Sequence, residues 1–317
     1  MQQSQIVHPQ SNRVKAYLLT LLSSLIYGGN VIAGRLIAGH VPPFTLSAIR
    51  AVLALIILLP LAWPQMKTAP KPNKSEFLQL IVVSLLGITV PYVSLLLGLQ
   101  HTTGTNASVI FATLPAVTNT LLFLLYKLKP SRFQVLGMIT SFLGLVIVFT
   151  QGSLLHLLTF KLGRGELFLF LNVLCIGLFN LMGQNIMKKF SSLVTSVYAL
   201  ISASIMLIPV GAWQLRSSGW NVSMSDWLII MYMGFLAAGV AFFLNLYGIN
   251  KIGSSKVSIL NNMQHVFSVT LSVIILNESL ALYHWIGLTL VVSGVVLSLS
   301  KLSKKGTPYL IRQRQKA

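Results

Sequence analysis

Acidic residues are scarce: Glu76, Glu166, Asp226 and Glu278 are the only four among 317 residues. Charged residues of both signs make up 9%, against about 25% in a soluble domain, which excludes an ordinary water-soluble fold. Cysteine occurs once, as Cys175, so no intrachain disulfide can form. The chain also lacks a His-Glu-x-x-His pair, a Gly-x-Ser-x-Gly turn, a phosphate-cradling glycine loop and any pair of aspartates at depth. Without such a constellation there is no footing for an enzyme, a metal site or a cofactor. None is expected.

What is present is apolar sequence, 55% of the chain, in blocks about as long as the roughly 20 residues that a helix needs to cross a bilayer core. The spans are read at 15–38, 42–63, 76–98, 103–126, 131–150, 165–187, 191–214, 226–250, 254–277 and 281–300. Lipid leaves unpaired backbone groups unsatisfied, so each span is helical or part of a closed barrel. The segments are too long for barrel strands and do not alternate. The reading is an all-α polytopic membrane protein of ten transmembrane helices. The first span is too long for a cleaved signal peptide and lacks a clear cleavage site. The loops hold no soluble domain.

The net charge of +19 suggests nucleic acid until its distribution is considered. Of the 23 cations, 18 fall on the side that carries both termini: Arg13, Lys15, Lys67, Lys71, Lys74, Lys127, Lys129, Arg132, Lys188, Lys189, Lys251, Lys256 and the tail. Four lie on the other side and Arg50 is inside a span. This is the positive-inside pattern. It predicts a multi-pass protein of the cytoplasmic membrane with both termini cytoplasmic. The partners expected are the lipid bilayer and a small-molecule substrate, with no nucleic acid. Asn106-Ala-Ser108 and Asn221-Val-Ser223 match the glycosylation pattern, which is short enough to arise by chance.

Sliding the chain by 150 residues superposes Asn30 on Asn180, Thr45 on Thr195, Gly98 on Gly248, Ser108 on Ser258, Thr120 on Thr270, Gly137 on Gly287 and Gly144 on Gly294. The spans fall into register too. Five spans per half is an odd number, so the halves enter the membrane with opposite orientation, as in many secondary transporters. The organisation expected is a cytoplasmic segment 1–14, a first repeat 15–150, an external linker 151–164, a second repeat 165–302 and a basic cytoplasmic tail 303–317. Gly137 with Gly144 and Gly287 with Gly294 mark close helix packing.

The stretch LIYGGNVIAGRLIAGHVPPFTLSAIRAVLAL, Leu25 to Leu55, resembles the opening of an EamA domain. LNESLALYHWIGLTLVVSGVVLS, Leu276 to Ser298, resembles its close. The resemblance is to the drug/metabolite transporter superfamily and spans about residues 15–302. It implies a ten-helix inverted repeat that moves small metabolites, often by exporting amino acids or related compounds. Two positions depart from the family pattern. Glu278 has Leu128 as its repeat mate, and Pro115 has His265.

Polar residues at depth supply the candidate substrate cavity. Ser258, Asn261, His265, Ser268 and Ser272 form one helical stripe, flanked by Gln264, while Asn262 faces elsewhere. Such a stripe must face protein or a watery cavity. Tyr27 and Asn30 of the first span, Tyr92 of the third, and Asn180 and Gln184 of the sixth complete the cavity set: Tyr27, Asn30, Tyr92, Asn180, Gln184, Asn261, Gln264, His265 and Ser268. Gly28, Gly29, Pro91 and Pro115 are expected to make their helices irregular. Arg50 and Glu278 are paired as a gate or structural clamp, with capping of the tenth helix by Glu278 as the alternative. No acid is left at mid-depth to relay protons, so facilitated movement by alternating access is preferred over coupling through His265. With no buried acid, a zwitterion whose carboxylate meets a helix N-terminus or Arg50 fits better than a cationic drug. A channel or a non-transporting scaffold is the competing class; oligomeric state is not readable.

Overall fold

The computed structural model describes residues 10–127, 132–150, 152, 163–186, 189–218, 222–252, 257, 260, 261 and 263–299. The described residues are helices and short connections, with no strand among them. In chain order they are α1 (Gln10–Ile37), α2 (Pro43–Thr68), α3 (Lys74–Ser84), α4 (Val90–Leu99), α5 (Gly104–Ala112), α6 (Leu114–Tyr126), α7 (Arg132–Phe149), α8 (Arg164–Ile186), α9 (Ser192–Ser218), α10 (Met224–Met231), α11 (Phe242–Ile252), α12 (Met263–Leu276) and α13 (Leu282–Leu299). Six stretches are long and apolar enough to cross a membrane: Val14–Ile37, Pro43–Thr68, Lys74–Leu99, Gly104–Leu125, Leu193–Ser218 and Met224–Asn245. Val135–Val148, Met263–Leu276 and Leu282–Gly294 are shorter apolar helices. The segment 1–9, most of the linker 151–162 and the tail lie outside the described residues.

Two stretches widen into π-helix: Leu85–Thr89 between α3 and α4, and Tyr232–Ala241 between α10 and α11. Adding 150 to 85–89 gives 235–239, inside the second. The first has a local cause. Pro91 stands at the start of α4 and has no N–H to return to the preceding turn. Each of these composite helices also starts with a capping box, Asn73 with Glu76 and Ser223 with Asp226. These positions too are 150 apart.

The outside of the bundle is apolar: Leu18, Ile56, Phe142, Ile205 and Trp213 are exposed. Lipid tails are as apolar as leucine, so association rests on close packing and interhelical hydrogen bonds. Both are seen. On α2, Ala48, Ala51, Ala54, Leu58 and Ala62 are buried against Val197, Leu200, Ala203 and Leu207 of α9. The Phe44 amide donates to Gln214 at 2.9 Å, while Ser191 donates to Gln65 at 2.6 Å, so the two helices run antiparallel. Helices α7 and α13 cross tightly. A Cβ on Gly144 would lie 2.6 Å from the Gly287 carbonyl oxygen, and one on Gly294 would lie 2.5 Å from that of Gly137. Between them, Ser141 donates to the carbonyl of Val291 at 3.2 Å. Early residues of one helix meet late residues of the other, again antiparallel, and Ser141 faces its own mate at the 150-residue offset.

Candidate functional site

The glycine pair on α1 has a steric role. A Cβ at Gly28 would lie 2.9 Å from Cβ of Phe267 and 3.0 Å from the Gln264 carbonyl, so α12 seats directly on the α1 backbone. At Gly29 the Tyr232 hydroxyl fills the space, donating to the Ile26 carbonyl at 2.7 Å. The expectation of an irregular helix at Gly28 and Gly29 is corrected: α1 runs unbroken from Gln10 to Ile37. Neighbours packed against the glycines hold the conformation that their flexibility would otherwise loosen. Two irregularities do fall near the expected prolines. Pro91 follows the first π segment, and Pro115 lies in the first turn of α6, after a break at Thr113. The Pro115 side chain is outside the described residues.

The polar stripe of α12 faces α1, α5 and α11. Asn261 accepts from Asn245 at 2.9 Å and from the Ser24 hydroxyl at 3.4 Å. Ser268 meets Ser108 of α5 at 2.5 Å, hydroxyl to hydroxyl, and Ser108 also donates to the Gly104 carbonyl at 2.7 Å. Asn261 and Ser268 therefore join helices, each contact adding about 0.6–2 kcal/mol. His265 is buried, with the Gln264 amide 3.5 Å from its ring nitrogen. Ser272 is fully buried, and its hydroxyl has no partner. Asn180 and Gln184 lie in α8, with side chains outside the described residues; Ser258 and Asn262 also lie outside them.

A second cluster joins α1, α2 and α4. Arg50 is 2% exposed. Its Nη2 donates to Asn30 Oδ1 at 3.1 Å, and its guanidinium carbon lies 4.3 Å from the centre of the Tyr92 ring. Nε and Nη1 are buried without a partner. Tyr27, Asn30 and Tyr92 are half-buried at its rim. A desolvated cation over a tyrosine ring gains about 2 kcal/mol, and a hydrogen bond to a charged group about 1.5–3 kcal/mol. Burying an ion costs several kcal/mol even after relaxation, so these contacts leave the charge under-compensated.

The expected Arg50–Glu278 pair is not formed. The Glu278 carboxylate accepts from the Gly104 amide at 2.9 Å, the Thr105 amide at 3.0 Å and the Thr105 hydroxyl at 2.6 Å. It caps α5, a partner the sequence did not suggest. The left-handed Asn277, at φ 53°, ends α12 and turns the carboxylate toward α5, whose N-terminal amides and dipole favour an anion.

The other acids are also occupied. Glu166 accepts from Thr102 at 2.6 Å. Glu76 closes the α3 capping box and accepts from Lys189 Nζ at 2.5 Å. Asp226 closes the α10 capping box and lies 3.2 Å from His40 Nδ1.

Sequence reasoning missed the capping boxes, although Asn-x-x-Glu and Ser-x-x-Asp before apolar runs announce them. It also missed Asn172, which is buried in α8 and donates to the Pro91 carbonyl at 2.6 Å and to Ser94 at 3.2 Å. An amide alone in an apolar run was the available signal. A groove of 490 Å³ between α2, α9 and α10 holds none of the predicted residues. Its walls, including Ala48, Val52, Ile208 and Leu215, are apolar and suit a lipid tail. Among the described residues no three His, Cys, Asp or Glu side chains stand close enough to hold a metal.

The sequence profile of the EamA-like transporter family matches residues 14–150 and again residues 163–300. An uncharacterised transporter of Bacillus subtilis, YetK, is 26% identical over 287 residues, covering 90% of this chain and 87% of that one. An uncharacterised transporter of Archaeoglobus fulgidus is 26% identical over 288 residues, covering 90% and 98%. A WAT1-related protein of Arabidopsis thaliana is 26% identical over 323 residues, covering 89% and 88%. One crystal structure aligns with a TM-score of 0.60 at 17% identity, over 90% of this chain and 98% of its own, which speaks for a shared fold.

Proposed function

The chain belongs to the EamA-like transporter family, and we propose that it is a secondary transporter or facilitator of small metabolites, exporting amino acids or related amphipathic compounds by alternating access. In this reading ten helices form two five-helix repeats of opposite orientation, 15–150 and 165–302, in the cytoplasmic membrane with both termini cytoplasmic. Solute passes between the repeats, past Tyr27, Asn30, Tyr92, Gln264 and His265, with Asn180 and Gln184 contributed from α8.

One observation carries the reading: residues 150 apart occupy reciprocal places. Helices α7 and α13 cross antiparallel around Ser141 and Val291. The capping boxes of α3 and α10 make reciprocal contacts, Glu76 with Lys189 and Asp226 with His40. These contacts lie near opposite ends of α2, whose 26 residues span about 39 Å. Two halves so related can exchange conformations and thereby carry an opening from one face to the other. No carboxylate stands at mid-depth, and His265 neighbours an amide, which favours movement down a gradient over proton coupling.

Purified protein reconstituted into vesicles loaded with the twenty amino acids provides the test. The expected result is saturable efflux of a subset, accelerated by the same solute outside and not driven uphill by a pH step. Unsaturable conductance identifies a channel, absence of movement a scaffold, and uphill movement with the pH step refutes the facilitator.

A further inference from the structure

We propose that Arg50 receives the carboxylate of the transported solute; this rests on the transport reading above. A guanidinium keeps its charge at any physiological pH, so a buried Arg50 is best compensated by an anion. No acidic side chain supplies one. The chain's four acidic side chains are Glu76, Glu166, Asp226 and Glu278, and they are held by Lys189, Thr102, His40 and the α5 amides respectively. The neighbours of Arg50 are neutral: the Asn30 amide and the Tyr92 ring. Its Nε and Nη1 carry three N–H bonds without an acceptor.

The repeat supplies an internal control for the alternative that Arg50 only serves packing. Its mate at the 150-residue offset is Leu200, 2% exposed in the α2–α9 interface, as Arg50 is 2% exposed in α2. The mate of Tyr92 is Phe242. The same architectural position is thus filled by plain hydrocarbon in the second half, and the cation and hydroxyl appear only in the first. Asn30, whose mate is Asn180, fixes one guanidinium nitrogen, and Tyr92 fixes the plane. Nε and Nη1 lie on opposite edges of the guanidinium, so a planar, two-oxygen anion would pair one of them with the second Nη2 hydrogen. Asn30 and Tyr92, its two contacts, are only half-buried, and in this proposal the anion enters past them. A carboxylate on the solute and a resident chloride share this chemistry, and the test separates them.

Vesicles containing wild-type protein, Arg50→Lys or Arg50→Gln are loaded with the twenty amino acids and, in parallel, with their carboxamides. Efflux is measured by mass spectrometry in chloride and in isethionate buffer. The expected wild-type result is that acids leave at least tenfold faster than the matching amides in both buffers. Arg50→Gln brings acids and amides to one rate, and Arg50→Lys keeps a reduced preference. Equal wild-type rates for acids and amides overturn the proposal while leaving the transporter intact. Retained acid preference in Arg50→Gln does the same. Dependence on chloride with no acid preference assigns the site to an inorganic ion and also overturns it. No efflux of any solute removes both readings. If Arg50→Gln fails to fold, the acid-to-amide comparison in the wild type decides alone.

Discussion

Arg50 and Glu278 were natural partners in the sequence and are strangers in the structure, and a double-mutant cycle separates the two situations. Glu278 accepts three hydrogen bonds at the start of α5, from Gly104 N at 2.9 Å, Thr105 N at 3.0 Å and Thr105 Oγ1 at 2.6 Å. Loss of a cap costs about 0.5–2 kcal/mol, and loss of an anion from the helix dipole up to about 1 kcal/mol at a half-exposed position. Glu278→Ala should therefore lose about 2 kcal/mol and Glu278→Gln, which keeps one acceptor oxygen, about 1 kcal/mol. Arg50→Met removes a charge with two unpartnered nitrogens. The desolvation cost that this relieves offsets the lost contacts to Asn30 and Tyr92, so Arg50→Met should stay within about 2 kcal/mol of the wild type. The double variant should equal the sum, with coupling under about 0.5 kcal/mol, because the residues share no partner. Unfolding in mixed micelles titrated with sodium dodecyl sulfate measures all four corners of the cycle. Coupling above about 1 kcal/mol, or a loss of about 3 kcal/mol from Arg50→Met alone, is the mark of a buried pair and refutes the assignment.

Two further outcomes follow from packing and charge. Gly144→Val places its Cβ 2.6 Å from the Gly287 carbonyl oxygen and should lose about 3 kcal/mol or more, because backbone cannot step aside. Gly239→Ala meets only ordinary contacts from 3.4 Å and should hold or gain about 0.5 kcal/mol in the same titration; equal losses in both would deny that the crossing is tight. Asp226→Ala removes the side chain that closes the α10 capping box and should lose about 1 kcal/mol in the same titration; an unchanged stability would contradict this.

The helices were legible because lipid imposes length and composition together. Apolar runs of the required length stood out, and most ends agree to within a few residues; α9 reaches Ser218 rather than 214. The duplication was legible because glycines and polar residues recur at one offset. The π segments were not. Pro91 explains the first, but Tyr232–Ala241 contains no proline, and the same offset was the only clue to it. Partners across helices were the least legible. Arg50 reads as a buried cation in any listing of residues, but whether it meets Glu278, Asn30 or nothing depends on how α1, α2 and α4 come together. Ser268 likewise reads as cavity lining until Ser108 of α5 is found 2.5 Å away. A polar stripe says that a helix face avoids lipid; it does not say whether water or another hydroxyl replaces it.

The two reciprocal contacts bear on how such a molecule could move. Glu76 with Lys189 and Asp226 with His40 each tie the start of a composite helix to the connection that follows α8 or α1. Each composite helix also contains a π segment further along, where the regular ladder of hydrogen bonds is already interrupted and a change of pitch is least costly. In the proposed cycle the ends stay anchored by the capping boxes while the π segments absorb the bending between them. The glycine crossing of α7 and α13 has backbone pressed on backbone, and in the proposed cycle it serves as the fixed pivot. Under that proposal the motion falls on helices that carry or flank Tyr92, Asn30 and Arg50, and not on the α7–α13 pair, which carries none of the candidate site.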